Sequence, residues 1–422
     1  MKQPDTAAKA VPALKSTAGA GGGTPPDPAG EDGRATCAGQ AAANKGIEID
    51  FDRAGFEGCE LEFIEQAVRG RHISGDGPFT HNCQVWLETA LGVQKALLTT
   101  SCTDALEMAA ILLKLQPGDE VIVPAFTFVS TVNAFVLHGA RPVFSDIRSD
   151  TFNLDEARLE SHISPHTRAI VAVHYAGVGC EMQELQRIAA RSRISVIEDN
   201  AHGLLGKYRN RFLGTFGALA TLSFHGTKNF TCGEGGALLI NDERYVERAE
   251  IIREKGTNRA RFFRGLADKY TWRDVGSSFL PSELLAAFLY AQFLAAQQIQ
   301  AKRRRVWHYY LKHLREWAWC QHVRVPFVPL QCEQAYHMFY LLMPTPASRQ
   351  ALIAHLRSRG ILSVFHYLPL HLSEMGRRFG GKPGLCPVAE QVSDRLLRLP
   401  FYNDLTGPEQ ARVVEAVQEF SV

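Results

Sequence analysis

The sequence lacks paired cysteines. Its nine cysteines stand singly along the chain, with neither the CxxC spacing of a zinc site nor the even set of a small secreted protein. This arrangement argues against a disulfide framework and favours a reducing compartment, so the chain is expected to be cytoplasmic. No metal-binding motif is present, and no metal is expected.

No apolar run is long enough to cross a bilayer. The most extended one, residues 121–129, is interrupted by Pro124 and by polar residues. Residues 1–45 are rich in Ala, Gly, Pro and Thr, contain no signal-peptide core, and are predicted to be a disordered extension. The protein is therefore expected to be soluble.

Neither sign of charge dominates the chain. Lys and Arg number 46 against 44 Asp and Glu, for a formal net charge of +2. The overall charge thus indicates neither nucleic acid nor an anionic membrane as a partner. With 422 residues, of which 45% are hydrophobic, the chain can form one large or two moderate domains.

From about Gly46 onward, short β-branched runs alternate with segments of helical period. This pattern is typical of a doubly wound α/β fold with a mainly parallel sheet, whose ligands bind at the carboxyl ends of the strands. Helices are expected between the strands, for example at Thr103–Leu115, Thr131–Leu137 and Glu181–Arg191. The seven predicted strands are Ala96–Thr99, Glu120–Val123, Arg141–Ser145, Ala169–His174, Ser195–Glu198, Ala220–Phe224 and Gly236–Ile240.

Beyond Phe279 the pattern changes to a long predicted helix, from Glu283 to about Trp317, followed by a smaller α+β segment. We therefore expect a large domain of residues 46–298 and a small C-terminal domain of residues 299–422. Lys302–Arg305 lies in the helix and is interpreted as a solvated face.

Polar residues follow several strands. Thr103 and Asp104 lie where hydroxyl residues lead into a helix, and N–H groups at a helix start can bind an anion, although an ordinary cap explains the same residues. Phe128, after the next strand, could lie on a heteroaromatic ring, but a core position is the simpler interpretation. Glu198 and Asp199 end a strand, and alternation directs them to opposite faces. Asp199 could pair with a pyridine nitrogen or cap a helix.

A lysine follows the sixth predicted strand. Lys228 stands between this strand and the Gly-rich segment 233–236, so we expect it to be partly desolvated, which lowers its pKa and favours a Schiff-base amine. Lys207 and Lys255 follow no buried strand so closely. Pyridoxal 5′-phosphate (PLP) requires four contacts: an anion site, an aromatic ring, an aspartate and a lysine. All four are expected at the strand ends of this one sheet.

Residues 198–202 (Glu-Asp-Asn-Ala-His), 223–229 (Ser-Phe-His-Gly-Thr-Lys-Asn) and 233–236 (Gly-Glu-Gly-Gly) resemble the DegT/StrS-type sugar aminotransferases, over about residues 46–420. The resemblance implies the PLP-dependent transferase fold type I, with PLP as cofactor, and a homodimer with shared active sites. It also implies transfer of an amino group from L-glutamate to a nucleotide-linked keto-sugar, dTDP-4-dehydro-6-deoxy-D-glucose, with dTDP-4-amino-4,6-dideoxy-D-galactose as product.

The resemblance assigns roles residue by residue. Thr103 and Asp104 would give backbone donors to the PLP phosphate, and Ser223 would also bind it. Phe128 would stack on the ring, and Asp199 would pair with its nitrogen. His202 would support the ring or its 3-oxygen side, Lys228 would hold PLP covalently and move protons, and His366 and Tyr367 would approach the sugar. Arg259, Arg261 and Arg264 could meet a diphosphate, although a simple surface position explains them equally well.

One segment departs from the family pattern. Where many members carry G-x-N-x-R, with the Asn reaching the neighbouring subunit's phosphate, residues 276–280 read Gly-Ser-Ser-Phe-Leu. Ser278 therefore takes the place of the Asn, and its hydroxyl could donate one hydrogen bond to the cofactor. Leu280 takes the place of the Arg.

Three other functions are compatible with the fold. A PLP-dependent nucleotide-sugar 3-dehydratase shares the scaffold but resembles the family with a histidine where Lys228 stands. A non-catalytic regulatory homologue would not need both Lys228 and Asp199. A PLP enzyme of amino acids alone would not need the His366-Tyr367 segment.

Overall fold

A seven-stranded sheet lies at the centre of the fold. The strands within residues 46–422, the part of the chain that the computed structural model describes, are β1 (Lys95–Thr99), β2 (Glu120–Pro124), β3 (Arg141–Ser145), β4 (Thr167–Val173), β5 (Ser195–Asp199), β6 (Lys207–Tyr208), β7 (Arg211–Phe212), β8 (Leu219–Ser223), β9 (Gly236–Ile240), β10 (Cys332–Glu333), β11 (Tyr340–Leu342), β12 (Val364–Phe365) and β13 (Leu396–Arg398). Across the central sheet they are arranged in the order β1-β9-β8-β5-β4-β2-β3.

Helices cover both faces of this sheet and form most of the C-terminal segment. The helices of the same described part are α1 (Glu60–Arg69), α2 (Pro78–Leu91), α3 (Cys102–Leu112), α4 (Ser130–Val136), α5 (Leu159–His162), α6 (Met182–Ser192), α7 (Val246–Arg253), α8 (Arg259–Phe263), α9 (Glu283–Leu294), α10 (Ala296–Cys320), α11 (Pro346–Ser358), α12 (Glu374–Arg378), α13 (Pro387–Arg395) and α14 (Gly407–Gln418).

The sheet confirms the predicted mainly parallel architecture. Strands β8, β5, β4, β2 and β3 run parallel to one another, whereas β9 runs antiparallel to both β1 and β8. All seven predicted strands are present within two residues of their expected bounds. The carboxyl ends of β1, β2, β4, β5 and β8 therefore share one edge, where polar residues from distant parts of the chain can meet.

The predicted continuous helix from Glu283 to about Trp317 is wrong. The chain forms two helices, α9 and α10, which meet at Ala295 with φ −90° and ψ 12°. The apolar α9 packs on two sides, where Tyr290 stacks on Phe63 of α1 with ring centroids 5.7 Å apart and Phe293 stacks on Trp86 of α2 at 4.4 Å. The more polar α10 buries a single face, so the two helices differ in how they pack.

The C-terminal region contains a second sheet and contacts the earlier part of the chain. Strands β11, β13 and β12 form a small antiparallel sheet. The Asp146 carboxylate, just after β3, accepts from the N–H groups of Val388 and Ala389 at the start of α13, each over 2.9 Å. Ile49 pairs with Ile361 in an isolated parallel bridge. Residues Ile47–Val422 form one compact unit. The division at residue 298 stays a prediction, and the predicted 1–45 extension lies outside the described residues.

None of the helices between residues 46 and 422 is both long and apolar enough to cross a membrane. The longest, α10, carries the basic run Lys302–Arg305.

The fully buried Glu283 carboxylate holds the start of α2. It accepts from the N–H groups of Gly77, Phe79 and Thr80 over 3.0, 2.8 and 3.0 Å, and also from the Thr80 hydroxyl. These donors have no intrahelical partner, because they belong to the first turn of a helix. The Glu283 side chain thus accepts the hydrogen bonds of a helix start that lies more than two hundred residues earlier in the chain.

We expect Glu283→Ala to lower the free energy of unfolding by about 3 kcal/mol, because buried donors would lose their acceptor. Urea unfolding followed by circular dichroism measures this change. Glu62→Ala is the matched control, since Glu62 makes one exposed contact with Gln66 on α1. The control should change stability by less than about 0.5 kcal/mol. Equal effects of the two substitutions would contradict the capping role.

Candidate active site

Asp199 lies at the carboxyl end of β5 and is buried. Its Oδ2 accepts from the hydroxyl of Thr131 over 2.6 Å, and its Oδ1 accepts from the N–H of Ala201 over 3.2 Å. The Thr131 hydroxyl lies 2.8 Å from that of Thr127. The carboxylate is therefore fixed in one orientation by the start of α4.

Glu198 points to the opposite face, as strand alternation predicts. Its carboxylate lies 2.9 Å from His174 Nε2 and accepts from the N–H groups of Gly214, Phe216 and Gly217 over 2.8, 2.6 and 2.7 Å. The three N–H groups belong to the loop before β8, and His174 directly follows β4. The neighbouring carboxylates therefore have different surroundings. Glu198 binds the loop before β8, whereas Asp199 lies at the carboxyl edge of the sheet.

Lys228 lies in the loop between β8 and β9. This loop is closed by hydrogen bonds from Phe224 N–H to the Gly235 carbonyl and from Gly226 N–H to the Gly233 carbonyl, each over 2.8 Å. Burial lowers the pKa of the Lys228 amine, while the nearby Cys102 thiol and Asp199 carboxylate act in the opposite direction. The structure thus brings Lys228 within electrostatic reach of Asp199, as the sequence predicts.

Three imidazoles lie beside Lys228. His202 stacks on His337 with ring centroids 4.1 Å apart, and His366 lies 6.1 Å from His202. Burial, followed by nearby positive charges and imidazoles, holds the pKa values of all three well below the ordinary histidine range. The imidazoles are therefore neutral near pH 7, and they can accept or donate hydrogen bonds without adding charge.

Two tyrosines connect to these histidines. The Tyr175 hydroxyl lies 3.1 Å from His366 Nδ1, and the Tyr367 hydroxyl lies 3.4 Å from His202 Nε2. Burial raises the pKa of both phenols, so both stay protonated. His366 and Tyr367, the expected sugar-contacting residues, thus belong to the same cluster as His202.

The start of α3 lies at the same edge of the sheet. Gly236 of β9 is paired in register with Ser223 of β8, and a Cβ at Gly236 would lie 2.4 Å from the backbone N of Cys102. Only glycine permits this approach, which brings Ser223 beside the helix start. The expected phosphate contacts Thr103 and Ser223 are therefore neighbours in space.

Local hydrogen bonds modify the expected phosphate contacts. The N–H of Asp104 donates to the Ser101 hydroxyl over 3.0 Å as a helix cap, and the Asp104 carboxylate accepts from Thr100. The Thr103 hydroxyl donates to Ser130 over 2.8 Å. The ordinary cap is therefore present, and a phosphate at this helix start would share the Asp104 donor with Ser101.

Phe128 lies on the open side of the cluster. Its side chain is 57% exposed, so the alternative of a core phenylalanine is wrong. Its ring centroid lies 6.3 Å from that of Tyr367. The ring is available to cover one face of a flat ligand next to the cluster.

Ser278 lies outside this cluster. It is exposed and forms an isolated bridge with Glu254, and the contacts of residues 46–422 do not join it to Lys228 or Asp199. The neighbouring residue Phe279 accepts a hydrogen bond from the N–H of Thr100 over 3.0 Å, so the segment of Ser278 runs beside the start of α3.

The three arginines that could meet a diphosphate pair with acidic residues instead. Arg261 and Arg264 form ion pairs with Glu247 and Glu250, and Arg259 lies 3.7 Å from Glu254, so all three are neutralised by acids of α7 and its C-terminal end. This neutralisation supports the surface interpretation over a diphosphate contact.

The solvated interpretation of Lys302–Arg305 is wrong for Arg303. This side chain is buried and donates to the Tyr336 carbonyl, to Asn403 Oδ1 and to the His337 carbonyl over 2.9, 2.9 and 2.6 Å. Arg303 thereby positions the His337 backbone beside the cluster.

Four residues around the site carry no sequence signal strong enough to predict them: Thr131, Tyr175, His337 and Arg398. Thr131 follows a predicted site aromatic and Tyr175 follows a predicted strand, which are weak local signals. His337 and Arg398 lie in the C-terminal segment without a neighbouring motif. Their relation to the site depends on the docking of that segment on the sheet.

The residues present fit PLP. A carboxylate, an amine and a polar helix start lie at one edge, as ring nitrogen, aldehyde and phosphate require. In addition, His202 Nδ1 is a buried nitrogen without a hydrogen-bond partner among the described residues. An oxygen on the ligand ring would satisfy this nitrogen.

Comparisons with known proteins identify a family and a fold. A family model described as the DegT/DnrJ/EryC1/StrS aminotransferase family matches residues 57–418. The chain is 31% identical over 350 residues to the uncharacterized protein MJ1066 of Methanocaldococcus jannaschii, covering 81% of this chain and 90% of the relative.

Solved structures share the fold. DesV of S. venezuelae is 28% identical with a TM-score of 0.78, covering 87% of this chain and 98% of DesV. Spr1654 of Streptococcus pneumoniae in its PLP form is 24% identical with a TM-score of 0.81, covering 88% of this chain and 98% of that protein.

Proposed function

Because the chain belongs to the DegT/DnrJ/EryC1/StrS aminotransferase family, whose members depend on PLP, we propose that it aminates a nucleotide-linked keto-sugar. The amino donor is L-glutamate, the acceptor is dTDP-4-dehydro-6-deoxy-D-glucose, and the products are dTDP-4-amino-4,6-dideoxy-D-galactose and 2-oxoglutarate. The product would serve the biosynthesis of amino sugars and surface polysaccharides.

The observation that carries the proposal is the meeting of Lys228 and Asp199 at one sheet edge. Burial lowers the pKa of the lysine amine, and the aspartate keeps its orientation through Thr131. An amine that is easily deprotonated beside a fixed carboxylate suits chemistry at an α-carbon. The intact lysine also favours transamination over the 3-dehydratase alternative.

Lys228 has two tasks in the proposed mechanism. Its Nζ holds the cofactor in the resting protein, and once released it takes the proton from the α-carbon of glutamate. When bound, PLP supplies an aldehyde for the donor amine and a protonated ring that withdraws electrons from the α-carbon. With the sugar, Lys228 Nζ would move a proton in the opposite direction, from the cofactor to C4 of the sugar.

Other side chains orient the reactants. Asp199 would keep a proton at the ring nitrogen. The backbone N–H groups of Thr103 and Asp104, together with Ser223, would hold the phosphate at the start of α3. Phe128 covers one ring face.

The buried histidines and tyrosines complete this arrangement. His202 contacts the ring oxygen, and His366 and Tyr367 contact the sugar. Burial lowers the pKa values of His202 and His366 and raises the pKa of Tyr367, so all three stay uncharged. They therefore supply hydrogen bonds rather than competing charges.

Specificity for this acceptor is proposed from the sequence. The stretches that most resemble a dTDP-4-amino-4,6-dideoxygalactose transaminase are 126–131, 174–178, 253–259, 269–274 and 365–371. We further propose a cytoplasmic homodimer, in which the exposed Ser278 hydroxyl reaches the neighbouring subunit's phosphate.

The proposal is tested by incubating the PLP-loaded protein with dTDP-4-dehydro-6-deoxy-D-glucose and L-glutamate. NMR of the product should show an axial amino group at C4, with one 2-oxoglutarate formed per sugar. A product that has lost its 3-hydroxyl would support the dehydratase instead. Turnover with simple keto acids but with no keto-sugar would reject the sugar acceptor.

A further inference from the structure

Asn229 directly follows Lys228 in the loop between β8 and β9, and its side chain is buried. Its Nδ2 donates to the carbonyl of Ala335 over 2.7 Å, and its Oδ1 lies 2.9 Å from Nδ1 of His337. Both partners belong to the C-terminal segment, more than one hundred residues later in the chain. Asn229 thus joins the neighbour of the expected cofactor lysine to a distant part of the sequence.

These contacts determine which atoms carry the hydrogens. The Ala335 carbonyl can only accept, so the amide nitrogen of Asn229 faces it and the amide oxygen faces His337. That oxygen also only accepts, so Nδ1 of His337 carries a proton. Burial lowers the pKa of His337 well below the ordinary histidine range, so the ring is neutral and Nε2 has no hydrogen. The imidazole is therefore held in one tautomer, and its single N–H donates to Asn229.

The two partners of this amide are themselves held in place. The Ala335 N–H donates to the Gly177 carbonyl over 3.0 Å. The buried Arg303 donates to the backbone carbonyl of His337 over 2.6 Å, and the His337 ring stacks on His202 with centroids 4.1 Å apart. The acceptor and the donor that meet the amide therefore have fixed positions beside the cluster.

Asn229 connects the β8–β9 loop to the rest of the fold. Within the described part of the chain, its two bonds are the only hydrogen bonds that join residues 225–234 to segments outside this loop. The others are local, such as the bond from the Lys228 N–H to the His225 carbonyl over 2.9 Å. Phe230 is buried in the apolar core, but apolar contacts are not directional. The orientation of the loop next to Lys228 therefore depends on Asn229.

We propose that Asn229 and His337 are a positioning pair that fixes the direction of the Lys228 side chain. Hydrogen bonds at both ends of the planar Asn229 amide hold that side chain in a single orientation, which also fixes the peptide bond shared with Lys228. Lys228 holds the cofactor and then moves a proton, so its amine must reach two different atoms. A misplacement of about 1 Å lowers the rate of such a step by up to roughly 100-fold. The inference rests on the proposed transamination and names two residues that act in it through Lys228.

The test separates the hydrogen bond from the ring stack at residue 337. His337→Phe keeps an aromatic ring against His202 but has no donor for Asn229. His337→Asn places an amide N–H near the position of the imidazole Nδ1 but loses the ring. His313→Phe is the matched control, because His313 also packs against an aromatic ring, that of Tyr309 at 4.3 Å, but does so within α10.

The PLP-loaded proteins are mixed with L-glutamate without sugar, and the change in cofactor absorbance gives the maximal rate and the half-saturating glutamate concentration. In His337→Phe the maximal rate should fall roughly 10- to 100-fold, while the half-saturating concentration hardly changes, because the pair acts on the lysine and not on the donor. His337→Asn should recover most of this loss. The control should keep the wild-type rate.

Cofactor attachment tests the pair without turnover. PLP is added to the PLP-free proteins, and the growth of the absorbance of protein-bound PLP reports how fast Lys228 attaches. Attachment should be slower in His337→Phe and in Asn229→Ala than in the wild type, and His337→Asn should restore it. The double variant with Asn229→Ala and His337→Phe should be no slower than the slower single variant, because both substitutions remove the same bond.

Wild-type rates of both reactions in a folded His337→Phe would overturn the inference. A defect in His337→Asn as large as that in His337→Phe would do the same and would assign the effect to the stack on His202. If the wild type reacts with glutamate but with no keto-sugar, the proposed acceptor fails while the result for the pair still stands. If it reacts with no amino donor, the proposed function fails and the attachment rates alone decide. Thermal unfolding of each variant verifies that it is folded.

Discussion

Lys228→Ala should lose transamination by a factor of about 10³ or more, since both cofactor attachment and proton transfer depend on this amine. The burial that lowers its pKa is specific to its position in the β8–β9 loop. Formation of 2-oxoglutarate in the presence of the keto-sugar gives the rate, and the absorbance of protein-bound PLP reports the attachment. Both signals should fall together.

Lys207→Ala is the matched control for this substitution. Lys207 lies on the short strand β6 and pairs with Glu333 over 3.2 Å, and the sequence alone leaves it as a competing candidate. The control should keep both the rate and the cofactor absorbance. Residual turnover close to the wild-type rate in Lys228→Ala would reject the assignment of the lysine.

The second large effect is expected at Asp199, and substitution of its neighbour Glu198 on β5 should have the opposite outcome. Asp199→Asn should lower the transamination rate by about 10²–10³-fold, because a neutral amide no longer keeps a proton on the ring nitrogen. Its stability should change little, since the amide oxygen can still accept from Thr131. Steady-state rates and urea unfolding measure the two effects separately.

Glu198→Gln should show the reverse pattern. This carboxylate accepts from three backbone N–H groups and contacts His174, so a substitution that replaces one oxygen by a donor breaks a buried network. We expect a loss of about 3–5 kcal/mol in unfolding free energy, with the rate per folded molecule largely retained. Activity loss without destabilisation in this variant would show that the two acids do not have separate tasks.

The sequence predicted the local parts of this site well. The seven strands follow from short β-branched runs, and residues just after their carboxyl ends lie together because parallel strands share that edge. The opposite directions of Glu198 and Asp199 follow from strand alternation alone. In these cases one short stretch of sequence determines the geometry.

The contacts between distant segments could not be predicted in this way. Thr131 meets Asp199 across 68 residues, and Tyr175 meets His366 across 191. Arg303 illustrates the limit, because a basic run in a helix indicates a solvated surface until Asn403 and the carbonyls at 336 and 337 surround one of its members. The break at Ala295 likewise depends on what packs around α9.

The hydrogen bond between Tyr175 and His366 also constrains how the protein matures. During synthesis the central sheet can form while the last part of the polypeptide is still inside the ribosome, but the cluster around His202 cannot close before residue 366 has emerged. Pairings of such long sequence separation form late and slowly. The cluster of buried imidazoles and phenols is therefore complete only when nearly the whole chain has been synthesised, long after the strands of the central sheet.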